Sequence, residues 1–260
     1  MWQRAQLKQK AKNALRGSYW KALIVSFVIG IFTSGGKKGA AGRRTGNSGG
    51  YGTGSIIRDS RIPSGGVLTG FLIVLLILLT VSIGMLIIKL LIGYNIQVGG
   101  RKYFIQAAQG EVEMGYLGYG FKEGRYMNIV KTMFIKDLYT FLWTLLFIVP
   151  GIIKSYSYAM VPYILADNPG MSTNRAIELS TQMTNGEKWD MFVLKLSFIG
   201  WYILGTIACL VGVVFVHPYK DATHAELYLV LRKQAIDKGL CDYQELNLVK
   251  ELKAIDAEWQ

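Results

Sequence analysis

The strongest constraint on this chain is a run of apolar residues from 67 to 92, in which Lys89 is the only charged residue. A helix of that length measures roughly 39 Å at about 1.5 Å per residue, more than the ~30 Å hydrocarbon core of a bilayer. Buried helices of soluble proteins are typically about 8 to 20 residues long and carry a polar stripe. The sequence therefore predicts a helix that spans a membrane.

Composition and charge support this prediction. Apolar residues make up 51% of the 260 residues, and the formal net charge is +12. In a membrane protein the natural counterpart of such a charge is the anionic cytoplasmic leaflet, where each juxtamembrane Lys or Arg contributes about 1 kcal/mol. Nucleic acid would require basic residues interleaved with aromatic side chains on a soluble face, but the aromatics here lie in or beside apolar runs. We therefore expect anionic membrane lipids as partners, or a second membrane protein, and no nucleic acid.

The N-terminal unit, residues 1–18, contains basic residues but no acidic one. Apolar residues recur in it at helical spacing opposite much of the positive charge, which predicts an amphipathic helix lying on an anionic surface. Because Lys and Arg stay on the cytoplasmic side of membranes, we expect the N-terminus on that side. The candidate lipid-headgroup or interface residues of this helix are Arg4, Lys8 and Lys12.

A short apolar run, residues 19–32, is predicted as the first membrane helix. A cleaved secretory signal is the alternative, although no clear small-x-small cleavage site follows the run. Residues 33–66 come next and contain 11 glycines. Ordering them would cost more conformational entropy than their few apolar side chains offset, so we expect a mobile loop. Its basic residues conflict with the cytoplasmic bias of Lys and Arg if the first helix spans the membrane.

Residues 67–216 are predicted to form a membrane helical bundle with polar loops, so the predicted fold class is an all-α polytopic membrane protein. A last apolar run within this unit, residues 191–216, is again long enough to span a bilayer. Residues 217–260 are predicted as an amphipathic C-terminal helix and tail, with Pro218 in the first turn. In total we expect about five spanning or partly spanning helices, plus the amphipathic helices at the two ends.

A turn is predicted between two apolar runs at residues 132–149 and 152–166. Pro150 and Gly151 stand between them and favour a tight type II turn, because proline sets the first central torsion and glycine accepts a positive one. A helical hairpin would result. The alternative is a single kinked helix, since proline is tolerated in membrane helices.

Polar side chains near the ends of apolar runs are candidate interface residues. Lys154, Tyr156 and Tyr158 follow the predicted turn and fit an interfacial belt or, alternatively, a lipid-headgroup pocket. Lys89 lies near the end of its own run, where its aliphatic stem allows the ammonium group to reach the interface.

The sequence offers one candidate set of metal ligands and no known catalytic motif. His217, Asp221 and His224 have spacings that place them near one helical face, an arrangement that can bind a divalent metal. However, Pro218 makes His217 a cap residue, and the chain contains no further histidine. Neither a G-x-S-x-G nor an H-E-x-x-H motif is present. We therefore predict no metal site, no cofactor and no catalytic residue.

Three stretches of the sequence are distinctive: the start of the chain around Leu7, Lys8 and Gly17, the segment IVPGIIKSYSYAMVPYILAD within residues 143–167, and SFIGW at residues 197–201. Together they resemble domain of unknown function family 975, whose members are small integral membrane proteins of low-GC Gram-positive bacteria. More remotely, the chain is similar to the non-catalytic membrane domain attached to some glycerophosphodiester phosphodiesterases. Neither resemblance implies an activity.

The leading functional hypothesis is a non-enzymatic integral membrane protein that binds lipid or a partner membrane protein, because basic interfacial segments flank a nearly uncharged bundle. The alternative is a small transporter or an export or immunity factor, because discontinuous helices such as those around Pro150 often frame substrate sites. An enzyme ranks third. The expected location is the cell membrane, which the chain crosses several times.

Overall fold

The computed structural model describes residues 2–33, 64–122, 124–207 and 211–248, whose secondary structure is helical with no β-strand. The predicted all-α class is therefore confirmed. Most of the predicted glycine-rich loop, residues 34–63, lies outside the described residues. The helices are α1 (Arg4–Leu15), α2 (Tyr19–Thr33), α3 (Ser64–Ala108), α4 (Tyr126–Leu146), α5 (Ile148–Ser157), α6 (Val161–Asp167), α7 (Thr173–Met183), α8 (Lys188–Leu196), α9 (Ile199–Ile207) and α10 (Val211–Asp237), with a 3-10 helix (Met114–Phe121) after α3.

The longest element, α3, has two different halves. Its first half is exposed, whereas from residue 93 onward most of its side chains are buried, among them Tyr103 and Phe104. The sequence predicted that the helix would end where the apolar run ends. It continues instead, because the second half packs against α2, α6, α10 and the 3-10 helix. Gly99 permits a close approach of the 3-10 helix, since an added Cβ would lie 2.7 Å from the carbonyl oxygen of Tyr116.

The first helix, α1, is present as predicted, but its apolar face is occupied within the chain. Leu7, Ala11 and Leu15 are buried, and α1 packs against α10. Most basic side chains of the opposite face remain exposed. The apolar face is thus not available for insertion into a membrane surface, whereas the basic face stays accessible to anions.

A buried ion cluster joins α3, α6 and α10. Asp167 lies 3.2 Å from Lys102 Nζ and 2.9 Å from Arg232 Nη1, and it accepts a 2.8 Å hydrogen bond from the Tyr228 hydroxyl. Its side chain is 1% exposed, and a carboxylate at this depth is tolerated because it has these three partners. We call the surrounding region the packed core: α1, residues 93–108 of α3, the 3-10 helix, α6, α7 and residues 219–237 of α10.

A helical hairpin is formed by α4 and α5, but its turn differs from the predicted one. The chain reverses at Phe147, an extended residue with φ −153° and ψ 139°. Pro150 and Gly151 stand in the first turn of α5, where proline is tolerated, and Gly151 has no positive φ. The predicted type II turn at these residues is therefore wrong, although the hairpin is present. Gly151 serves close packing instead, since an added Cβ would lie 2.6 Å from Thr144 Cα.

The last predicted span, residues 191–216, is interrupted. A turn at Ser197 and Phe198 separates α8 from α9. Each of these helices contains 9 residues, which is roughly half of what a membrane-spanning helix needs. The prediction of one continuous span over this run is therefore wrong.

The helix that follows, α10, also departs from the prediction. It begins at Val211, so Pro218 lies in its interior and not in its first turn. The preceding helix, α9, packs back against this first part of α10. The rings of Tyr202 and His217 are 5.8 Å apart across the pair. The predicted boundary at residue 217 between bundle and C-terminal helix is thus crossed by one continuous helix.

Within the described residues, one helix, Thr69–Ala108, is long and apolar enough to cross a membrane. None of its most apolar window is buried, and Leu78 is 63% exposed, whereas the core helix of a soluble protein is mostly buried. The tip of the α4–α5 hairpin is also exposed, with Leu145 at 75%. A shorter apolar helix covers Tyr19–Gly30. We call the following exposed stretches the apolar rim: residues 69–92, 141–153 and 199–203.

Candidate anion-binding site

A cavity of about 310 Å³ lies between α3, α4, the α5–α6 connection, α8 and α10. Its lining is unusually rich in charge for a space of this size. Each of four helices contributes one cation, and two carboxylates accompany them. The cations are Arg101 from α3, Lys136 from α4, Lys195 from α8 and Lys220 from α10, and the carboxylates are Asp137 and Asp221.

One side of the cavity is held rigid by a buried ion pair. Arg101 Nη1 lies 2.9 Å from Asp221 Oδ1, and the Ser26 hydroxyl donates a 2.8 Å hydrogen bond to Asp221 Oδ2. Burial would raise the pKa of Asp221, but the Arg101 guanidinium and the nearby Lys220 outweigh it and hold that pKa below its usual range. The guanidinium also stacks over the Tyr163 ring, with its Cζ 5.2 Å from the ring centroid. These contacts tie α2, α3, α6 and α10 together.

The three lysines that line the rest of the cavity differ in whether a carboxylate neutralises them. Lys136 Nζ lies 2.8 Å from Asp137 Oδ1. By contrast, neither Lys195 nor Lys220 forms an ion pair with any carboxylate in the described part of the chain. Lys195 Nζ instead lies 4.2 Å from the centroid of the Tyr156 ring, a cation–π contact at the exposed mouth of the cavity. Two positive charges are therefore left without a carboxylate.

His224 completes the lining on α10 and stays neutral. Burial lowers its pKa to about 4. Its Nδ1 lies 2.8 Å from the Lys220 carbonyl oxygen, and because a carbonyl only accepts, Nδ1 carries the proton. Nε2 is then an acceptor. The histidine consequently adds no positive charge to the cavity above pH 6.

The cavity lies at the border between the apolar rim and the packed core. On several helices the polar lining adjoins exposed apolar side chains. On three elements an exposed apolar residue lies within two residues of a polar one in the lining: Phe141 next to Thr140 on α4, Ile153 before Ser155 on α5, and Leu196 next to Lys195 on α8.

Two comparisons with known proteins found no match: no curated protein and no solved structure is significantly similar to the chain. Residues 145–235 match the family described as Protein of unknown function (DUF975). This match supports the resemblance to that family. The matched segment includes the cavity residues from α5 to α10, whereas Arg101 and Lys136 lie outside that segment. The comparisons support neither the remote similarity to glycerophosphodiester phosphodiesterases nor an origin in low-GC Gram-positive bacteria.

Two of the residues predicted around the hairpin contribute to the cavity. Tyr158 lines it, and Tyr156 holds Lys195 through its ring. Lys154 does not line it. Its Nζ lies 5.1 Å from the Trp143 ring centroid and 5.9 Å from that of Tyr158, so it sits between two aromatic rings beside the cavity.

The other predicted interface residues lie elsewhere. On α1, Lys8 Nζ is 4.7 Å from the Phe198 ring centroid and Lys12 Nζ is 5.9 Å from that of Tyr219. Arg4 is exposed on the same helix. Lys89 belongs to the exposed half of α3, and its side chain lies outside the described part of the structure. The three residues on α1 do not line the cavity.

The three residues considered for metal binding are engaged in other contacts. Asp221 is taken by Arg101 and Ser26, and the His217 ring packs edge-on against Tyr202. Among the described residues, no three His, Cys, Asp or Glu side chains come together as a group that could hold a metal.

Sequence reasoning missed the four cations as a group. None of the four was predicted as a site residue. The available signal was that Lys136, Lys195 and Lys220 each lie next to an apolar run. Sequence alone does not show that these ends meet, because the residues are up to 119 positions apart (220 − 101).

A second, larger groove of about 890 Å³ lies on the opposite side, between α1, the end of α3 and α10. It is open to the surface and carries both signs of charge, with Lys10, Arg16 and Lys21 facing Glu226 and Asp237. Because this groove lies open at the surface, whereas the smaller cavity contains the buried ion pair of Arg101 and Asp221, we place the functional site in the smaller cavity.

Proposed function

We propose that this chain is a non-enzymatic integral membrane protein that binds the headgroup of an anionic lipid in the basic cavity. The observation that carries the proposal is a cavity lined by four cations and bordered by exposed apolar side chains. Basic pockets between membrane helices on the cytoplasmic side are the sites that bind acidic lipid headgroups in general. The exposed hairpin tip next to the cavity offers an apolar surface for the lipid chains.

The proposed arrangement has α3 crossing the bilayer, with α2 and the two hairpins, α4–α5 and α9–α10, entering it fully or partly. This gives six spanning or partly spanning helices in the cell membrane, one more than the sequence predicted. The N-terminus is placed in the cytoplasm, because the exposed basic face of α1 favours the anionic leaflet. Labelling of a cysteine introduced at Lys8 in intact cells tests this orientation: a membrane-impermeant reagent should not react.

Two contacts support a role without catalysis. The Ser155 hydroxyl in the cavity donates to the Ile152 carbonyl oxygen at 2.7 Å, and His224 donates to the backbone at Lys220. A serine nucleophile requires a hydrogen-bonded general base. Among the described residues of the cavity, the Ser155 hydroxyl and the His224 ring form no hydrogen bond with each other.

Lipid retention tests the proposal. The full chain is purified in detergent, incubated with equal amounts of phosphatidylglycerol and phosphatidylcholine, and analysed by native mass spectrometry. We expect preferential retention of phosphatidylglycerol, and a reduced preference in Lys136→Gln. The control Lys131→Gln removes an exposed lysine of the same helix that does not line the cavity and should retain the preference. Equal retention of both lipids by the unaltered protein would contradict the proposal.

The alternative, a small transporter or an export or immunity factor, is favoured by the interrupted helices at Phe147 and Ser197, since discontinuous helices frame substrate sites in transporters. Proteoliposome flux distinguishes the two. Transport of a lipid, peptide or ion would favour this alternative, whereas lipid retention without flux favours the binding protein.

A further inference from the structure

We propose that the cavity prefers a lipid whose headgroup ends in a phosphomonoester over a lipid with a phosphodiester headgroup. This inference rests on the proposed function and names the class of ligand. It follows from how the charges of the cavity are compensated.

Two of the four cations are already neutralised by the protein. Arg101 pairs with Asp221 at 2.9 Å, and Lys136 pairs with Asp137 at 2.8 Å. Lys195 and Lys220 have no carboxylate partner among the described residues. A ligand that balances the cavity therefore supplies about two negative charges.

A phosphomonoester matches this requirement. It carries a charge of about −1.5 to −2 at pH 7 and presents three strong acceptor oxygens. A phosphodiester carries about one negative charge and leaves one lysine uncompensated. Each lysine ammonium group offers three donors, so the two lysines on α8 and α10 can approach a terminal phosphate from two sides.

The size and position of the cavity fit a small headgroup. A volume of about 310 Å³ is at the lower end of ligand pockets, which range from about 300 to 1,000 Å³. A terminal phosphate fills such a space without a further polar substituent. The lipid chains would then lie along the exposed side chains that border the cavity, such as Phe141, Ile153 and Leu196.

A competition experiment tests the preference. The full chain in detergent micelles binds a fluorescent phosphatidic acid, which is then displaced by unlabelled phosphatidic acid, a phosphomonoester, or by phosphatidylglycerol, a phosphodiester. We expect phosphatidic acid to compete at about tenfold lower concentration, the effect of one additional charge pair at an interface. Equal competition by both lipids would overturn this inference while leaving the binding of anionic lipids intact. Failure of both lipids to bind would overturn the proposed function as well.

Variants assign the preference to the two lysines. Lys195→Gln combined with Lys220→Gln should bring the two lipids to within about twofold of each other, whereas the matched charge-retaining pair Lys195→Arg and Lys220→Arg should keep the preference. A control pair, Lys122→Gln with Lys131→Gln, removes the same charge from exposed positions outside the cavity and should also keep it. Persistence of the preference in the Gln pair would overturn the assignment.

A final arm separates a lipid ligand from a soluble phosphate. Inorganic phosphate is added as competitor up to millimolar concentration. We expect little displacement, because free phosphate lacks the apolar contacts of the lipid chains. Displacement by inorganic phosphate at the concentration at which phosphatidic acid acts would overturn the lipid assignment.

Discussion

Leucine occupies opposite environments in the two regions of this molecule. In the packed core, Leu165 is fully buried among α6 and its neighbours, whereas in the apolar rim Leu78 and Leu145 keep more than half of their surface exposed. The same residue type is therefore enclosed by other residues in one region and, among the described residues, left mostly uncovered in the other. Side chains of the rim gain the free energy of leaving water only if an apolar solvent surrounds them.

Charged side chains are also distributed differently between the packed core and the apolar rim. The packed core encloses Asp167 and Asp221, each with cationic and hydroxyl partners. The most exposed part of α3, residues 69–88, contains no charged residue. A charge is thus tolerated in the packed core, where the protein itself provides a partner, whereas the rim part of α3 contains a single charged residue, Lys89, near its end.

The largest expected effect is the loss of the buried carboxylate of the packed core. Asp167→Ala leaves Lys102 and Arg232 buried without their shared acceptor, and breaking such a pair costs about 3 to 5 kcal/mol. We expect a large decrease in the thermal unfolding midpoint in detergent. Asp137→Ala, whose side chain is 49% exposed, should cost at most about 1 kcal/mol. Equal losses of stability in the two variants would show that the buried carboxylate contributes no more to stability than the exposed one.

A matched pair of leucines tests the two environments directly. Leu165→Ala opens a cavity in the packed core and should lower the free energy of unfolding by about 2 to 5 kcal/mol. Leu78→Ala removes a side chain that touches only detergent and should change it by less than about 0.5 kcal/mol. A comparable loss for Leu78→Ala would mean that the rim packs against another protein surface, which would remove the contrast between the regions.

The hairpin can be tested at its closest contact. Gly151→Ala introduces a Cβ against Thr144, and overpacking of this kind costs about 1 to 3 kcal/mol. Gly84→Ala is the control, because it adds a Cβ in open space on α3 and removes the helix penalty of glycine. Gly151→Asn should be no milder than Gly151→Ala. A stable asparagine variant would indicate a positive torsion at this position and a type II turn after all.

The cavity side of the packed core should be sensitive to acid through His224. Its pKa is lowered to about 4, so the unfolded chain binds more protons between that value and the ordinary 6.5, and stability falls as the pH falls. Between pH 7 and pH 5 the free energy of unfolding should fall by about 2 kcal/mol. His224→Gln should remove this part of the pH dependence. Parallel stability curves for the two proteins would contradict the buried neutral histidine.

The smallest expected effect is at the contact between α1 and the turn that precedes the rim on α9. Lys8→Gln removes the cation over the Phe198 ring and should cost about 0.5 to 1 kcal/mol, the range for exposed cation–π contacts. Arg4→Gln on the same helix contacts no aromatic ring among the described residues and should be neutral. A Lys8→Gln variant as stable as the Arg4→Gln control would show that this contact contributes nothing.

Local patterns in the sequence predicted the elements whose cause is local. The uncharged run after residue 67 predicted α3, and the apolar spacing of Leu7, Ala11 and Leu15 predicted α1. The break at Ser197 has no Pro or Gly at the turn itself to signal it. Pro150 and Gly151 signalled a break that lies three residues earlier, because proline is as compatible with the first turn of a helix as with a turn.

The cavity depends on contacts that no local pattern encodes. The four cations lie on four separate helices, and only the packing of α3, α4, α8 and α10 brings them together. They are Arg101, Lys136, Lys195 and Lys220. Nothing in the sequence indicated that Lys136 pairs with its neighbour Asp137, because adjacent residues are expected on different faces of a helix. Tyr158 was identified because an interfacial aromatic and a headgroup pocket require the same residue types.

The position of Pro150 has a consequence for the desolvation of the backbone at the hairpin tip. The amides at the start of a helix have no acceptor within it. Here the Phe147 amide donates to Trp143, and Pro150 carries no amide hydrogen. Only the amides of Ile148 and Val149 are then left unbonded by the helix itself. Since an unsatisfied amide costs several kcal/mol in hydrocarbon, a proline at the third position of α5 lowers the energy of immersing the tip by removing a donor that would otherwise require a partner.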